Sequence, residues 1–238
     1  MQPAIPNPIV MRWFDGWCRR ALRQAFHQVH LYLDRELPFD PKQSHLYVAN
    51  HSSFWDGIVL YHWLRTRRRQ PIYCMIDEVQ VREHPFFRRV GGFSVDRANP
   101  RDGLRAIDYA SELLNHDRIG TRVIVFPQGE LRHNDLRPLG FESGVARIIE
   151  KCPAVKVITV ALRYEFWKEQ RAEALISAAE LNDHKQKRDA LMHSLVESIT
   201  RQLDRLQDRA RRFEAGEILL QGRASISKWK RVIGGGKV

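Results

Sequence analysis

The sequence has few cysteines and no long apolar run. Three cysteines occur in 238 residues, and Cys18, Cys74 and Cys152 are far apart. This odd number and wide spacing offer neither a disulfide framework nor a Cys-x-x-Cys motif, so we expect free thiols in a reducing compartment. No apolar run approaches the ~18 residues that a membrane span requires, and the first residues lack the regions of a signal peptide. We expect a protein that is soluble or peripheral at a membrane.

The charge is strongly one-sided, with 39 Lys and Arg residues against 28 Asp and Glu residues and a formal net charge of +11. Such a surplus attracts polyanions, including nucleic acids, anionic membranes and acidic carriers. The basic residues are spread along the chain and form no recognisable nucleic-acid module, so we expect no nucleic-acid partner. A basic polyanion-binding protein without enzymatic activity stays open as an alternative. His, Cys and acidic residues never cluster at ligand spacing, so we expect no metal.

Residues 10–33 carry apolar side chains at helical spacing and predict one amphipathic helix, which we assign to an N-terminal segment 1–36. An aromatic face bordered by arginines suits the headgroup region of a membrane. Packing of a first helix on the domain core explains the pattern equally well, and one helix can do both. The aromatic residues are Trp13, Phe14, Trp17 and Phe26, and the basic residues are Arg12, Arg19, Arg20, Arg23 and His27.

The middle of the chain, residues 37–166, alternates short apolar runs with helical patterns. Runs rich in Val, Ile and aromatic residues are typical of strands that are buried on both faces. Their alternation with helices predicts an α/β domain with a mainly parallel central sheet flanked by helices. The predicted strands lie near 45–49, 71–76, 92–95, 122–126 and 155–161, and the predicted helices near 56–66, 79–90, 102–115 and 141–151.

The last segment, residues 167–238, is highly charged and predicts a helical extension followed by a basic tail. We expect helix from about residue 168 to residue 213. Its apolar residues between 192 and 213 form a seam, which indicates docking of the helix on the domain or a short coiled coil. In the tail, Trp229 lies among basic residues and is a candidate for a second membrane contact. We expect the tip of this tail to be mobile.

His51 precedes Asp56 by five residues and directly follows the apolar run 45–49. A neutral imidazole accepts a proton near pH 7, and a carboxylate on its other nitrogen fixes the tautomer and stabilises the imidazolium. The spacing alone is weak, because it recurs at His184 and Asp189 in a charged stretch with no strand before it. The strand context and three later segments distinguish the first match.

Those later segments are the block Gly91-Gly-Phe-Ser-Val-Asp-Arg97, the block Phe126-Pro-Gln-Gly-Glu-Leu-Arg132 and the apolar run Val155–Val160. In order and spacing, the four segments resemble the glycerolipid acyltransferases typified by 1-acyl-sn-glycerol-3-phosphate acyltransferase. The resemblance covers roughly residues 45–162. Each block is weak by itself, but independent chance matches multiply, so four in order are specific.

The resemblance implies transfer of a fatty acyl group from a thioester donor, coenzyme A or acyl carrier protein, to a hydroxyl of a lipid acceptor. It implies phospholipid metabolism, no cofactor, and a cytoplasmic protein that is peripheral on the inner face of a membrane. His51 matches the family's catalytic base, and Asp56 matches its partner. Arg97 matches an arginine that holds the acceptor's phosphate. The other implied substrate-binding residues are Gly91, Phe93, Gln128, Gly129, Glu130 and Arg132.

The third block departs from the family pattern. Gln128 stands where the family has Glu, and Glu130 and Leu131 stand where it has Thr and Arg, so that Arg132 comes one place late. A positive charge in register is lost and a negative one is gained, which makes a poorer phosphate cradle. We therefore expect a lysophospholipid with a different headgroup, a glycolipid or a glycosylated isoprenoid as the acceptor. A family member that binds lipid without catalysis stays open as an alternative.

Overall fold

The computed structural model describes residues 1–37, 40–67, 70–115, 120–182 and 186–223. Within these ranges the strands are β1 (Phe26–Leu33), β2 (His45–Ala49), β3 (Ile72–Asp77), β4 (Gly92–Val95), β5 (Arg122–Val125), β6 (Lys156–Glu165), β7 (Ala172–Glu180) and β8 (Glu217–Gln221). The helices are α1 (Pro8–Ala25), α2 (Asp56–Arg67), α3 (Glu78–Glu83), α4 (Phe86–Arg89), α5 (Pro100–Leu114), α6 (Gly144–Lys151) and α7 (Arg188–Arg211).

All eight strands belong to one sheet in the order β4-β3-β5-β2-β6-β7-β1-β8. The first five strands in this order are mutually parallel, so their carboxyl ends meet at one edge. β7 is antiparallel to β6, and β1 is parallel to β7, so both strands begin at that same edge. The predicted α/β fold with a mainly parallel sheet is confirmed. β2, which leads to His51, lies in the interior of this sheet.

Helices cover both faces of the sheet. On β2, Leu46 and Val48 join the core beneath α5, α6 and α7, whereas Tyr47 and Ala49 join the core beneath α1 and α2. Successive side chains of a strand point to opposite faces, which explains why all five residues of β2 are buried. Among the described residues, no helix has both the length and the apolar character needed to cross a bilayer.

The predicted N-terminal helix ends earlier than the periodicity indicates. α1 begins after Asn7, whose side chain accepts hydrogen bonds from the amides of Ile9 and Val10, and it ends at Ala25. The prediction of a helix to residue 33 is wrong, because residues 26–33 form β1 between β7 and β8. Apolar residues at 26, 29, 31 and 33 fit the period of a helix and that of a strand. The interior of a sheet buries more of them than one face of a helix would.

The predicted continuous helix from 168 to 213 is also wrong in its first part. The stretch Ala-Glu-Ala-Leu-Ile-Ser-Ala-Ala-Glu forms β7, although Ala, Glu and Leu favour helices. Pairing along β6 outweighs that weak preference, and five of the nine residues of β7 are at most 3% exposed, namely Glu173, Ala174, Leu175, Ile176 and Ala178. α7 then docks its apolar seam on the sheet, as the seam indicates.

Strands from all three predicted segments join in one sheet, so the divisions at 36/37 and 166/167 do not separate independent units. The helix predicted at 79–90 is divided into α3 and α4 around Pro85, whose ring nitrogen cannot donate to a helical hydrogen bond. The candidate membrane contact at Trp229, the predicted mobile tip and His184 of the second His–Asp match lie outside the described residues.

Candidate active site

His51 lies just beyond the carboxyl end of β2, on a turn that is fixed by its neighbour. Asn50 is buried, and its side chain donates to the carbonyl of Leu162 (3.0 Å) and accepts from the amide of Leu162 (2.8 Å). These two bonds tie the turn to β6. The amide of His51 donates to Oε1 of Gln128 (2.5 Å), and its carbonyl accepts from the amide of Arg132 (2.8 Å). The loop after β5 therefore holds the backbone of His51, and β6 holds the residue before it.

His51 and Asp56 are in direct contact. Nδ1 of His51 lies 2.8 Å from Oδ2 of Asp56, whose side chain is fully buried at the start of α2. The same oxygen accepts from the amides of Ser52 (2.6 Å) and Ser53 (2.9 Å). The five-residue spacing thus forms a loop that turns back on the first residue of the helix. The structure brings together the two residues that the sequence pairs, and the role of Asp56 in orienting the imidazole stays a prediction.

Tyr164 completes the environment of the carboxylate. Its hydroxyl donates to Oδ1 of Asp56 at 2.6 Å. Burial, and then the adjacent Asp56 charge, raise the pKa of Tyr164 well above its usual range, so its phenol stays protonated and remains a donor. The sequence reasoning missed this residue, because no spacing rule relates the end of β6 to a helix start 108 residues earlier.

The imidazole of His51 is held in place and is partly exposed. Its ring stacks on Phe126, with the centroids 4.4 Å apart, and its side chain retains 25% of its exposure. Because Nδ1 faces Asp56, Nε2 is the nitrogen that is left to accept a proton. An oriented, partly exposed histidine on a buried carboxylate is suited to general base chemistry.

Gln128 and Gly129 lie next to each other in the loop after β5 but have different roles. Gln128 is buried and joins the amide of His51 to the carbonyl of Leu139, so it positions the loop. Gly129 has a φ of 68°, and its carbonyl accepts from Nη1 of Arg97 at 2.8 Å. A β-carbon at this position would meet the Arg97 guanidinium at 2.4 Å, so Gly129 allows the arginine to lie against the loop.

Two arginines beside this loop are paired with glutamates. Nη2 and Nε of Arg97 donate to Oε1 of Glu142, at 2.5 and 3.2 Å. Nε of Arg132 donates to Oε1 of Glu130 at 3.0 Å, and its Nη2 lies 2.9 Å from the same oxygen. The sequence reasoning named both arginines and Glu130 but missed Glu142, which follows Arg97 by 45 residues.

Gly91 and Phe93 do not join these residues. The side chain of Phe93 is fully buried and packs against Tyr109. Gly91 has a φ of 103°, and a β-carbon there would lie 2.1 Å from the carbonyl oxygen of Ile72. Both residues lie at the start of β4, opposite the edge that carries Arg97. They support the strand and do not face the surface around His51.

A cleft of about 430 Å³ opens beside Ser52 and Ser53, on the side of His51 that faces away from Gly129 and Arg97. It lies where β6 ends and where β7 and β1 begin. Two of its polar atoms, Oγ of Ser52 and Oδ1 of Asn134, are buried without a hydrogen-bond partner among the described residues. The aromatic residues that line it are Phe26, Trp55, Tyr164 and Phe166.

Comparison with known proteins gives one family and one shared fold. Residues 28–163 match the sequence profile of the Acyltransferase family. The crystal structure of the 1-acyl-sn-glycerophosphate (LPA) acyltransferase PlsC from Thermotoga maritima aligns with a TM-score of 0.59 and 19% identity, over 84% of this chain and 81% of that one. This similarity shows a shared fold. No curated protein matches the chain significantly.

A weaker structural alignment pairs the chain with the Legionella pneumophila ATPase DotB. It has 16% identity and covers 88% of this chain and 67% of that one, with a TM-score of 0.37. A score this low does not indicate a shared fold.

The hydrogen bond from Tyr164 to Asp56 predicts a stability effect. Tyr164→Phe leaves one oxygen of a buried carboxylate without its donor, which should lower the free energy of unfolding by about 1.5–3 kcal/mol. Urea denaturation measures this change. Tyr73→Phe is the matched control, because burial alone raises the pKa of Tyr73 and no carboxylate contributes. Equal stability of Tyr164→Phe and the wild type would contradict the assigned hydrogen bond.

Proposed function

Because the chain belongs to the Acyltransferase family, we propose that it transfers a fatty acyl group from a thioester donor to a hydroxyl of a lipid acceptor, with His51 as the general base. The contact of Nδ1 of His51 with the buried Asp56 carboxylate, at 2.8 Å, is the observation that carries this proposal. The donor is a thioester of coenzyme A or of acyl carrier protein. The fold shared with PlsC supports a lipid acceptor.

In the proposed reaction, Nε2 of His51 takes the proton of the acceptor hydroxyl as its oxygen attacks the thioester carbonyl carbon. The carbon–sulfur bond then breaks, the ester forms, and the leaving thiolate takes the proton back from the imidazolium. Asp56 fixes the tautomer and stabilises the imidazolium between these steps. Both substrates bind together, so the transfer is direct and needs no nucleophilic serine or cysteine.

The aromatic cleft offers a place for the acyl chain. It lies beside Ser52, whereas the paired arginines lie on the opposite side of His51. Binding on different sides of His51 lets the donor and the acceptor reach the reacting atoms without overlapping. An aromatic cleft suits a hydrocarbon chain, and the unpartnered oxygens of Ser52 and Asn134 suit its polar end. We assign the cleft to the donor's acyl chain and the opposite side to the acceptor's headgroup.

α1 presents an apolar stripe to solvent. Ile9, Trp13 and Trp17 follow at intervals of four residues and are 81%, 63% and 39% exposed. The stripe through Phe14, Cys18 and Leu22 is buried against the domain instead. Tryptophans beside arginines suit the interface of an anionic membrane. We propose peripheral binding on the inner face of a membrane, with α1 packed on the core by one stripe and on lipid by the other. The exposed arginines of this helix are Arg12, Arg19, Arg20 and Arg23.

Replacing the base should abolish turnover. His51→Ala should reduce acceptor-dependent thiol release from palmitoyl-coenzyme A or palmitoyl-acyl carrier protein by about 10²–10⁴-fold. His133→Ala, at a 79% exposed histidine of a nearby loop, should retain wild-type rates. Full activity of His51→Ala would contradict the proposed base. A wild type that binds lipid but releases no thiol from either donor would indicate a binding protein instead.

Truncating the most exposed aromatic side chain of the cleft should weaken the protein's preference for donors with long acyl chains. Phe166 is 75% exposed, so Phe166→Ala should fold normally while removing apolar contact worth about 1 kcal/mol, or roughly fivefold in rate. The ratio of kcat/KM for palmitoyl and hexanoyl thioesters measures the effect. Phe213→Ala, at the end of α7, is the control. An unchanged chain-length ratio, with a higher KM for the acceptor alone, would contradict the assignment of the cleft.

Removing the exposed tryptophans should weaken membrane binding. The double variant Trp13→Ala and Trp17→Ala should lose at least about tenfold in partitioning to vesicles of phosphatidylglycerol and phosphatidylcholine, because each exposed indole contributes apolar area. Vesicle sedimentation measures it. Leu104→Ala is the control, because α5 lies on the other face of the sheet. Equal partitioning of the double variant and the wild type would contradict docking through α1.

A further inference from the structure

The surface beside His51 on the Gly129 side is locally neutral on a strongly basic protein. It consists of Arg97 with Glu142 and Arg132 with Glu130, and we call it the paired-arginine surface. The chain as a whole has a formal net charge of +11. The surplus of positive charge that is available elsewhere is therefore cancelled where the acceptor's headgroup is proposed to bind.

Two further arginines at this edge of the sheet are also paired with acidic residues. Arg163 contacts Asp135 at 2.6 Å and Glu165 at 2.5 Å, and Arg137 contacts Asp204 at 3.1 Å. Each of these four arginines thus has an acidic partner. The neutral charge beside His51 therefore does not depend on a single ion pair.

Both guanidinium groups already donate hydrogen bonds within the protein. All three nitrogens of Arg97 donate, two to Glu142 and one to the carbonyl of Gly129. Nε and Nη2 of Arg132 both face one oxygen of Glu130. In both arginines the Nε–Nη2 edge, which can bind a phosphate in a bidentate way, faces a carboxylate instead.

Charge decides which headgroup this surface favours. Glu142 and Glu130 are 56% and 55% exposed at their side chains, so breaking the ion pairs costs little. Their negative charges nevertheless stay within a few ångströms of any ligand on the arginines. A phosphate monoester, which carries nearly two negative charges at pH 7, meets that repulsion. A neutral hydroxyl both donates and accepts, so it can bind a carboxylate and a guanidinium at once.

We propose that the acceptor has a neutral, hydroxyl-rich headgroup of the sugar or glycerol type, and that Glu142 and Glu130 exclude phosphate monoesters. This inference rests on the proposed acyl transfer. It deepens that function by naming the acceptor class and two residues that determine specificity. Neither glutamate is assigned to the chemical step.

A matched pair of acceptors tests the proposal. 1-Oleoylglycerol and 1-oleoylglycerol 3-phosphate share the acyl chain and the free hydroxyl at position 2, and differ only in the phosphate. The kcat/KM of the wild type should favour the neutral acceptor by at least about tenfold. A long-chain alkyl glucoside serves as a third acceptor and separates sugar from glycerol headgroups. A preference for the phosphorylated acceptor, or equal use of the two, would overturn the proposal.

Glutamine variants test the two glutamates directly. A unit charge removed at about 4 Å in water changes binding of a monoanion roughly fivefold and of a dianion roughly thirtyfold. Glu142→Gln and Glu130→Gln should therefore each shift the acceptor ratio toward the phosphate by roughly five- to thirty-fold. Glu150→Gln, which breaks a surface pair with Arg188 on α6 and α7, is the matched control. An unshifted ratio in both glutamine variants would overturn the role of the glutamates.

The design separates this inference from the proposed function. If the wild type transfers acyl groups to neither acceptor nor to the glucoside, and His51→Ala matches it, the acyltransferase proposal itself fails. If the wild type is active and prefers the phosphate, only the inference fails. Thermal unfolding of each glutamine variant checks that the fold is retained, as the exposure of both carboxylates predicts.

Discussion

The buried carboxylate of Asp56 is the constraint on which the site depends. Removing a charge from water is costly unless hydrogen bonds satisfy it. Asp56 accepts four, from the His51 ring, two loop amides and the Tyr164 hydroxyl. These donors come from the loop after β2 and from the end of β6. The requirement that stabilises one buried charge therefore fixes the imidazole, the loop and the neighbouring strand relative to one another.

The topology of the sheet gives this arrangement its two sides. Parallel strands bring the ends of β4, β5, β2 and β6 to one edge, which is where α/β folds commonly bind ligands. The reversal at β7 brings the beginnings of β7 and β1 to the same edge. His51 thus has polar, paired arginines on one side and an aromatic cleft on the other. A fold with only the parallel strands would lack the second wall of that cleft.

The sequence predicted the parts of the site that depend on local order. The residues of β2 are continuously apolar, and His51 and Asp56 are five residues apart, so one loop creates their contact. Contacts across long separations left no local pattern. Tyr164 reaches Asp56 across 108 residues, and Glu142 reaches Arg97 across 45.

The lack of a local pattern for long-range contacts also explains the errors in the predicted fold. β1 and β7 are strands because they pair with each other and with β6 and β8, although their own compositions fit helices as well. Phe93 was expected at the substrate because of its block, but alternation along β4 turns it into the core. Gln128 was expected to line the pocket, yet it holds the backbone of His51.

Under the proposed function, membrane binding and acceptor choice place opposite demands on charge, and the two sites lie apart on the protein. Under the proposed function, exposed arginines of α1 draw the protein to an anionic bilayer, where anionic headgroups are the most abundant ligands. An active site with free arginines would bind those headgroups and would be occupied by lipids that it does not acylate. Pairing Arg97 with Glu142 and Arg132 with Glu130 removes that competition locally, while the rest of the surface stays basic. Because the carboxylates remain beside the arginines, the surface offers hydroxyls both donors and acceptors, which a purely basic cradle does not.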